Sequence, residues 1–291
     1  MNTDIVADAQ ALVPKISLNR RGFVAASLLA SGYAVAAGPV QAQAITTDTA
    51  GLTAGEATIP VAGASMPCYY AHPATGGPFP TVLVIQEIFG VHEYIRDVCR
   101  RWAKLGFFAV APELYVRQGD VSKITDIQQI MPIVAKVPDT QVMADLDETV
   151  KWATATGKAN GDKLGITGYC WGGRITWLYT AHNPKVKAAV AWYGRIVGQT
   201  NEMNPKHPID VADQIKVPVL GLYGAADTGI PVDSVNQMKD KLKAGGNTES
   251  VFEIYADTPH AFHADYRPSY RKAAAEDGWA KATAWFKKYL A

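Results

Sequence analysis

The sequence predicts an α/β protein, with a mostly parallel sheet covered by helices on both faces. Short apolar segments rich in Val, Ile and Leu alternate with longer segments that carry apolar residues at helical spacing. Strands buried on both faces are continuously apolar, and the intervening helices cover the sheet. The length of 291 residues, with 48% hydrophobic residues, is sufficient for a large core. Functional side chains are therefore expected just after the carboxyl ends of the strands.

The elements of the first half follow in order. Residues 80–89 (PTVLVIQEIF) are apolar and rich in β-branched side chains, which predicts a buried strand. Segment 92–106 has apolar residues at helical spacing and ends at Gly106, as a capped helix does. Residues 107–115 predict the next strand. Between 124 and 156 a helical pattern is interrupted by two prolines.

The second half continues the alternation of strands and helices. Strands with the turns that follow them are predicted at residues 162–170, 186–194, 217–227 and 250–257. Helices are predicted at residues 172–182, 232–246 and 268–290. Residues 45–291 are therefore predicted to form a single domain.

The composition gives no sign of a charged partner. The chain has 28 Lys and Arg residues against 27 Asp and Glu, a formal net charge of +1. This balance provides no basic surface for nucleic acid or an anionic membrane. No nucleic-acid partner is predicted.

Residues 1–44 resemble a twin-arginine export signal. Arginines at positions 20 and 21 precede an apolar run over about 23–37, and Ala-Gln-Ala follows at 42–44. The apolar run is shorter than the roughly 20 residues that span a bilayer. The resemblance implies transient contact with export machinery, no stable membrane association after cleavage, and a periplasmic or secreted enzyme. The alternative is an N-terminal extension that is never cleaved.

Three cysteines, Cys68, Cys99 and Cys170, occur in the chain. An odd number leaves at least one thiol unpaired. Pairing of Cys68 with Cys99 stays open, although a domain of this size does not need a disulfide for stability. No C-x-x-C motif or clustered His and Cys spacing indicates a metal or redox site.

The segment GYCWGG, residues 168–173, predicts a nucleophile on a sharp turn. It lies between a predicted strand and a predicted helix, in a G-x-C-x-G frame. Small residues at 168, 172 and 173 leave space for this turn. The helix N-terminus behind Cys170 favours the thiolate, and the amide of Trp171 is placed to hold an oxyanion. The alternative is an inert buried cysteine.

An acid and a base follow the cysteine in chain order. Asp227 lies in the turn after one predicted strand, and His260 lies after the next. The order nucleophile, acid, histidine is that of α/β-hydrolases. His263 is the close competitor of His260. Asp233 is more typical of a helix cap, and Asp227 itself has a simple turn role as its alternative.

Five motifs together resemble the dienelactone hydrolases, also called carboxymethylenebutenolidases. They are QEIFG (86–90), PELYVRQG (112–119), GYCWGG (168–173), AAD (225–227) and PHAF (259–262). The resemblance covers the chain from about residue 55 to its end. It implies an α/β-hydrolase fold without a metal or organic cofactor. It also implies a catalytic triad of Cys170, Asp227 and His260.

The resemblance implies further site residues. Glu87 would suppress ionisation of the cysteine until substrate displaces it, and the amide of Ile88 would be the second oxyanion donor. Arg117 would bind a substrate carboxylate. The family's second arginine position holds Ala264 here, and Arg267 lies three residues later. The alternatives are a structural carboxylate at Glu87 and a surface ion pair at Arg117.

The predicted function is opening of a lactone ring or cleavage of a carboxylic ester through an acyl-enzyme, with a small-molecule substrate. One alternative is a broad-specificity esterase or thioesterase, which the missing second arginine favours. Another is a periplasmic binding or thiol-sensing protein without catalysis.

Overall fold

An eight-stranded sheet organises the residues that the computed structural model describes, 44–291. Its strands are β1 (Leu52–Val61), β2 (Ala64–Pro73), β3 (Phe79–Ile85), β4 (Phe108–Pro112), β5 (Ala159–Tyr169), β6 (Val186–Trp192), β7 (Val219–Gly224) and β8 (Val251–Tyr255). The helices are α1 (Glu93–Lys104), α2 (Ile127–Val134), α3 (Asp139–Ala155), α4 (Trp171–His182), α5 (Val232–Ala244) and α6 (Lys272–Tyr289). A 3-10 helix covers Pro208–Gln214. Except for Ala44, the predicted export signal lies outside the described residues and stays a prediction.

The strand order is β1-β2-β4-β3-β5-β6-β7-β8. The strands from β4 to β8 in this order pair in parallel, whereas β2 is antiparallel to both β1 and β4. The predicted mostly parallel sheet is therefore confirmed. The antiparallel pair β1 and β2 was not predicted, because β1 has one buried residue of ten and lacks a continuous apolar run.

The first predicted strand ends earlier than its apolar run. β3 stops at Ile85, and residues 86–90 form a turn closed by a bridge between Glu87 and Gly90. Gly90 has φ +74°, a conformation that glycine adopts without steric cost. The side chain of Glu87 and the amide of Ile88 therefore lie beyond the carboxyl end of β3, where a parallel sheet gathers functional groups.

The core lies around the central strands and α4. Residues 164–169 of β5 and nearly all of β6 and β7 are buried, as are ten residues of α4 from Trp171 to Thr180. Helix α4 begins directly behind Cys170, so the candidate nucleophile stands on the most deeply packed part of the fold. Burial of this size is the main source of stability in such a domain.

Cys68 and Cys99 are buried and form no disulfide. Burial raises the pKa of the Cys68 thiol to about 12 and raises that of Cys99 further. Both thiols are therefore kept in the unreactive neutral form. Within residues 44–291, no helix has the length and apolar character needed to cross a membrane.

Candidate active site

Three strand ends bring Cys170, Asp227 and His260 to one edge of the sheet. Cys170 follows β5, Asp227 follows β7, and His260 lies in the loop after β8. The three residues are 2%, 5% and 2% exposed. The imidazole Nδ1 of His260 lies 2.6 Å from Oδ2 of Asp227. The shielding from water strengthens this contact, because both groups sit in a low-dielectric environment.

Cys170 occupies a strained backbone conformation between strand and helix. Its φ of 57° and ψ of −115° are unusual for a residue with a Cβ. Its N–H donates to the carbonyl of Trp192 at 3.1 Å, and its carbonyl accepts from the N–H groups of Gly173 and Arg174. The neighbouring strand and the first turn of α4 hold the strained residue in place.

Two glycines make this turn possible through close backbone approach. A Cβ at Gly168 would lie 2.2 Å from the carbonyl oxygen of Gly172, and one at Gly172 would lie 2.5 Å from the carbonyl oxygen of Gln86. Neither contact is sterically possible. The start of α4 therefore packs directly onto β5 and onto the turn after β3.

Asp227 is fixed by its own loop. Its Oδ1 accepts hydrogen bonds from the backbone N–H groups of Gly229 and Ile230, at 2.9 Å and 3.1 Å. Its Oδ2 remains directed at His260. The carboxylate can thus orient the imidazole and stabilise its protonated form.

The environment of His260 favours the imidazolium. Burial lowers the pKa of this imidazole, but the charges and hydrogen bonds of Asp227 and Cys170 outweigh burial and raise the pKa well above its ordinary value. The Cys170 side chain therefore lies in the immediate environment of the His260 imidazole. Such a site supports a thiolate and imidazolium pair.

His263 does not take part in this arrangement. It is buried, its Nδ1 lies 2.6 Å from the hydroxyl of Tyr94, and its ring centroid lies 4.4 Å from that of Trp192. Burial and the charge of Arg101 lower the pKa of His263 well below its ordinary value. The structure therefore keeps His263 neutral in an aromatic cluster and pairs His260 with the carboxylate.

Glu87 is a buried carboxylate with three neighbours. Its Oε2 accepts a hydrogen bond from the hydroxyl of Tyr266 at 2.7 Å and lies 3.5 Å from Nε2 of His92. Burial alone would raise the pKa of Glu87. His92, Arg267 and Tyr266 outweigh burial through hydrogen bonds and charge, so this pKa lies below its ordinary value. Glu87 is therefore ionised at neutral pH.

Glu87 and Cys170 face the same aromatic side chains. The pKa of Tyr193 is raised by burial and also by the charges of both residues, and the same holds for Tyr115. Oε1 of Glu87 is buried and has no hydrogen-bond partner among residues 44–291. The carboxylate of Glu87 and the candidate nucleophile thus share these aromatic neighbours.

The structure places Arg117 in an ion pair with Asp145. Its Nη1 and Nη2 donate to the two carboxylate oxygens at 2.7 Å and 2.9 Å, and its Nε donates to the carbonyl of Ala62. The side chains are 19% and 2% exposed. This pairing corresponds to the ion-pair alternative and disfavours the predicted contact of Arg117 with a substrate carboxylate.

Arg267 lies close to Glu87. Its guanidinium stacks 4.3 Å from the ring centroid of Phe89, and its Nε donates to the hydroxyl of Tyr266 at 2.9 Å. Because Tyr266 in turn donates to Glu87, Arg267 helps to hold that carboxylate in its ionised form. The sequence drew attention to Arg267 but gave no signal for Tyr266.

Glu113 supports the turn that carries Glu87. Its Oε2 accepts from the N–H of Val91 at 2.8 Å, and its Oε1 lies 3.1 Å from the side-chain amide group of Gln86. Burial raises the pKa of Glu113 to about 7, with Asp120 raising it further and Val91, Gln86 and Arg96 opposing. Glu113 lies in the PELYVRQG motif, but a glutamate after a strand carries no distinctive pattern that would assign it this role.

No set of three or more His, Cys, Asp or Glu side chains in the described part of the chain is arranged to hold a metal ion. The side chains of Cys170, His260, Asp227 and Glu87 offer a thiol, an imidazole and two carboxylates.

Comparisons with known proteins agree on one family. The family model described as "Dienelactone hydrolase family" matches residues 66–290. A protein of Methylorubrum extorquens named "Putative carboxymethylenebutenolidase" is 59% identical over 285 residues, which cover 97% of each chain. One of the same name from Escherichia coli K12 is 51% identical, over 89% of this chain and 96% of that one.

A solved structure shares the fold closely. The crystal structure described as "Putative Dienelactone Hydrolase" from Klebsiella pneumoniae has a TM-score of 0.79 and 53% sequence identity. The match covers 82% of this chain and 99% of that one.

Replacing Glu113 by Gln should make stability less dependent on pH. A carboxyl group whose folded pKa of about 7 exceeds its unfolded value stabilises the fold at low pH, and this contribution disappears as pH rises through 7. Between pH 5 and pH 8, the free energy of unfolding of the variant should rise by roughly 1–3 kcal/mol relative to that of the wild type. Urea unfolding at both pH values measures this. The exposed Glu249→Gln serves as control, and parallel pH profiles for wild type and Glu113→Gln would contradict the assignment.

Arg117 and Asp145 should be coupled in stability. Asp145→Asn leaves the guanidinium without its bidentate acceptor and should lower the free energy of unfolding by roughly 2–4 kcal/mol. In a double-mutant cycle with Arg117→Gln, the pair should show a coupling of at least about 1 kcal/mol. Chemical denaturation provides the measurement. Additive effects, together with a selective loss of hydrolysis of anionic esters in Arg117→Gln, would restore a substrate-binding role.

Proposed function

The chain belongs to the dienelactone hydrolase family and is a hydrolase, and on this premise we propose that it opens a lactone ring or cleaves a carboxylic ester through an acyl-enzyme on Cys170. The observation that carries the proposal is the 2.6 Å contact between His260 and Asp227 beside the strained turn of Cys170. A nucleophile, a base and an orienting carboxylate are the parts that covalent hydrolysis requires.

The first step forms the acyl-enzyme bond. The thiol of Cys170 gives its proton to Nε2 of His260, and Asp227 stabilises the resulting imidazolium through Nδ1. The sulfur attacks the substrate carbonyl carbon, and the carbonyl π electrons move to oxygen. The amides of Ile88 and Trp171 are the proposed donors to this oxyanion; neither donates to another acceptor within residues 44–291. Donors that need no reorganisation stabilise the developing charge.

The next steps release the product. The carbon–oxygen bond to the leaving group breaks, and that oxygen takes the proton from His260. In a lactone, the leaving group stays attached to the acyl chain as a ring-opened alcohol or enol. Water then attacks the thioester while His260 accepts its proton, and the sulfur leaves as thiolate. His260 thus acts as an acid when the leaving group departs and as a base when water attacks.

Glu87 is proposed to control the ionisation of the cysteine. An ionised carboxylate in a buried site raises the free energy of a nearby thiolate. Tyr266, His92 and Arg267 keep Glu87 ionised in the free enzyme. A substrate that displaces the carboxylate would remove this repulsion and generate the nucleophile. A neutral resting thiol is also less prone to oxidation.

A broad-specificity esterase or thioesterase is the second candidate. Two observations favour it: Ala264 stands where the family resemblance implied an arginine, and Arg117 is committed to Asp145. The reaction steps would be the same, and only the acyl or leaving group would differ. The predicted periplasmic or secreted location also stays a proposal, since it depends on the leader.

Cys170→Ala should abolish turnover while the fold remains. Without the sulfur no acyl-enzyme can form, so hydrolysis of p-nitrophenyl acetate should fall at least ~1,000-fold. The buried Cys68→Ala is the matched control for loss of a thiol and should retain activity. Circular dichroism and thermal unfolding report on folding. Undiminished turnover in Cys170→Ala would refute the mechanism, and thiol labelling of wild type without turnover on any ester would favour a binding or sensing role.

A further inference from the structure

The segment that directly follows the predicted leader is bound to helix α1. The N–H of Thr47 donates to Oδ1 of Asp97, and the carbonyl of Thr47 accepts from Nε of Arg100 at 2.8 Å. Asp97 and Arg100 are both buried. The chain therefore has a fixed position on the domain three residues after the Ala-Gln-Ala pattern at 42–44.

The first residue after that pattern contacts a buried carboxylate. The backbone N–H of Ile45 donates a hydrogen bond to Asp265. Asp265 is 5% exposed, whereas Ile45 is 47% exposed. The nitrogen of the peptide bond between Ala44 and Ile45 is thus held at a shielded negative charge, although the Ile45 residue lies at the surface.

Asp265 belongs to a cluster of buried charges in which its own charge is incompletely compensated. Arg101 donates to Asp265 through Nη2 at 2.6 Å and to Asp97 through Nε, so two carboxylates share one guanidinium. Burial raises the pKa of the Asp265 carboxyl, and the charge of Asp97 raises it further. Arg101 and the N–H of Ile45 oppose this rise but do not cancel it. A further positive charge at Asp265 would therefore stabilise the cluster.

We propose that the chain is cleaved between Ala44 and Ile45 and that the new α-ammonium group of Ile45 forms an ion pair with Asp265. A peptidase that removes the leader hydrolyses this peptide bond with one water. The carbonyl carbon of Ala44 gains the oxygen and leaves as a carboxylate, and the nitrogen of Ile45 becomes an amine that is protonated at neutral pH.

Cleavage changes the charge of a nitrogen that is already in place. Before cleavage Ile45 offers Asp265 one neutral amide donor, and afterwards it offers an ammonium group at the same position. Hydrogen bonds between ionised partners are roughly twice as strong as neutral ones. The proposal rests on the predicted export signal and is independent of ester hydrolysis at Cys170.

The proposed pair lies next to a residue that holds Glu87. Asp265 is followed directly by Tyr266, whose hydroxyl donates to Glu87 at 2.7 Å. The mature N-terminus is thereby joined to the loop that follows His260, and the processed enzyme is more stable than its precursor.

Controlled cleavage of the full chain tests the ion pair. Residues 41–44 are replaced by the factor Xa site Ile-Glu-Gly-Arg, so that cleavage leaves Ile45 as the N-terminus. At pH 7 the Tm should rise by roughly 2–6 °C on cleavage, because the ammonium group gains a shielded partner. Differential scanning calorimetry before and after cleavage measures the shift, and an unchanged Tm overturns the proposal.

A displaced amine is the matched control. Placing the same site at residues 38–41 removes the leader equally but leaves three residues before Ile45, so cleavage should not change the Tm. Asp265→Asn should abolish the rise in the first protein, whereas the exposed Asp162→Asn should retain it. An equal rise in the displaced control overturns the proposal even where Asp265→Asn does not fold.

The rise in Tm should depend on pH. Asp265 raises the pKa of the amine above the roughly 7.7–8.0 of an unfolded N-terminus. Such a group stabilises the fold fully below its unfolded pKa, and the contribution is lost as pH rises through the folded pKa. The other charged or titratable groups around the pair are Glu93, Tyr94, Asp97, Arg100, Arg101 and Tyr270.

Those groups are present before and after cleavage, so the difference in Tm isolates the amine. The difference should be largest near pH 7 and disappear at about pH 10.5. A difference that persists there overturns the assignment of the ammonium group.

The cleavage site is tested on the natural chain. The full sequence is expressed in a bacterium with twin-arginine export, and the mass of the exported enzyme is measured intact. The mass should correspond to residues 45–291. An N-terminus at any other residue overturns the proposed cleavage site.

Discussion

The close approach of α4 to three strand ends is the constraint on which the site depends. Backbone meets backbone at Gly168, Gly172 and Gly194, where a single methyl group would collide. This packing holds Cys170 at a positive φ and directs the N-terminus of a buried helix toward its sulfur. The strain is maintained because the surrounding core is far more stable than the local cost. In a less tightly packed turn, the position of the Cys170 thiol relative to the His260 imidazole would not be fixed.

Charge then determines which chemistry this turn can support. Asp227 is bound by two amides and by His260, so its negative charge stabilises an imidazolium at a defined position. In the proposed mechanism Glu87 has the opposite influence, because its ionised form disfavours a thiolate. The two carboxylates lie at different strand ends, and the proposal has them act on opposite partners of one proton transfer. Substrate binding would then shift the balance between the neutral and ionised forms of the resting site.

Much of the sheet could be predicted from the sequence, and the reasons for the failures are physical. Central strands and covering helices were predicted because continuous apolar runs and helical spacing are local signals. The edge pair β1 and β2 was missed because β1, with one buried residue of ten, has no continuous apolar run. The end of β3 was misplaced because Ile88 and Phe89 are apolar although they lie in a turn. Chain order singled out Cys170, Asp227 and His260, which the structure brings to one edge.

Contacts between distant segments could not be predicted in the same way. The hydroxyl of Tyr266 donates a hydrogen bond to Glu87, which lies 179 positions away in the sequence, and no local sequence pattern indicates this contact. A motif identified Arg117, but the ion pair of its guanidinium with Asp145 becomes apparent only in the folded structure.

The proposed acyl-enzyme on Cys170 can be trapped and identified. The enzyme is mixed with excess p-nitrophenyl acetate, quenched in acid within milliseconds, digested and analysed by mass spectrometry. One acetyl group is expected on the peptide that contains Cys170, formed at a rate fast enough for turnover. Rapid ester hydrolysis with that peptide unmodified, or with the acetyl group on another side chain at a competent rate, would contradict it.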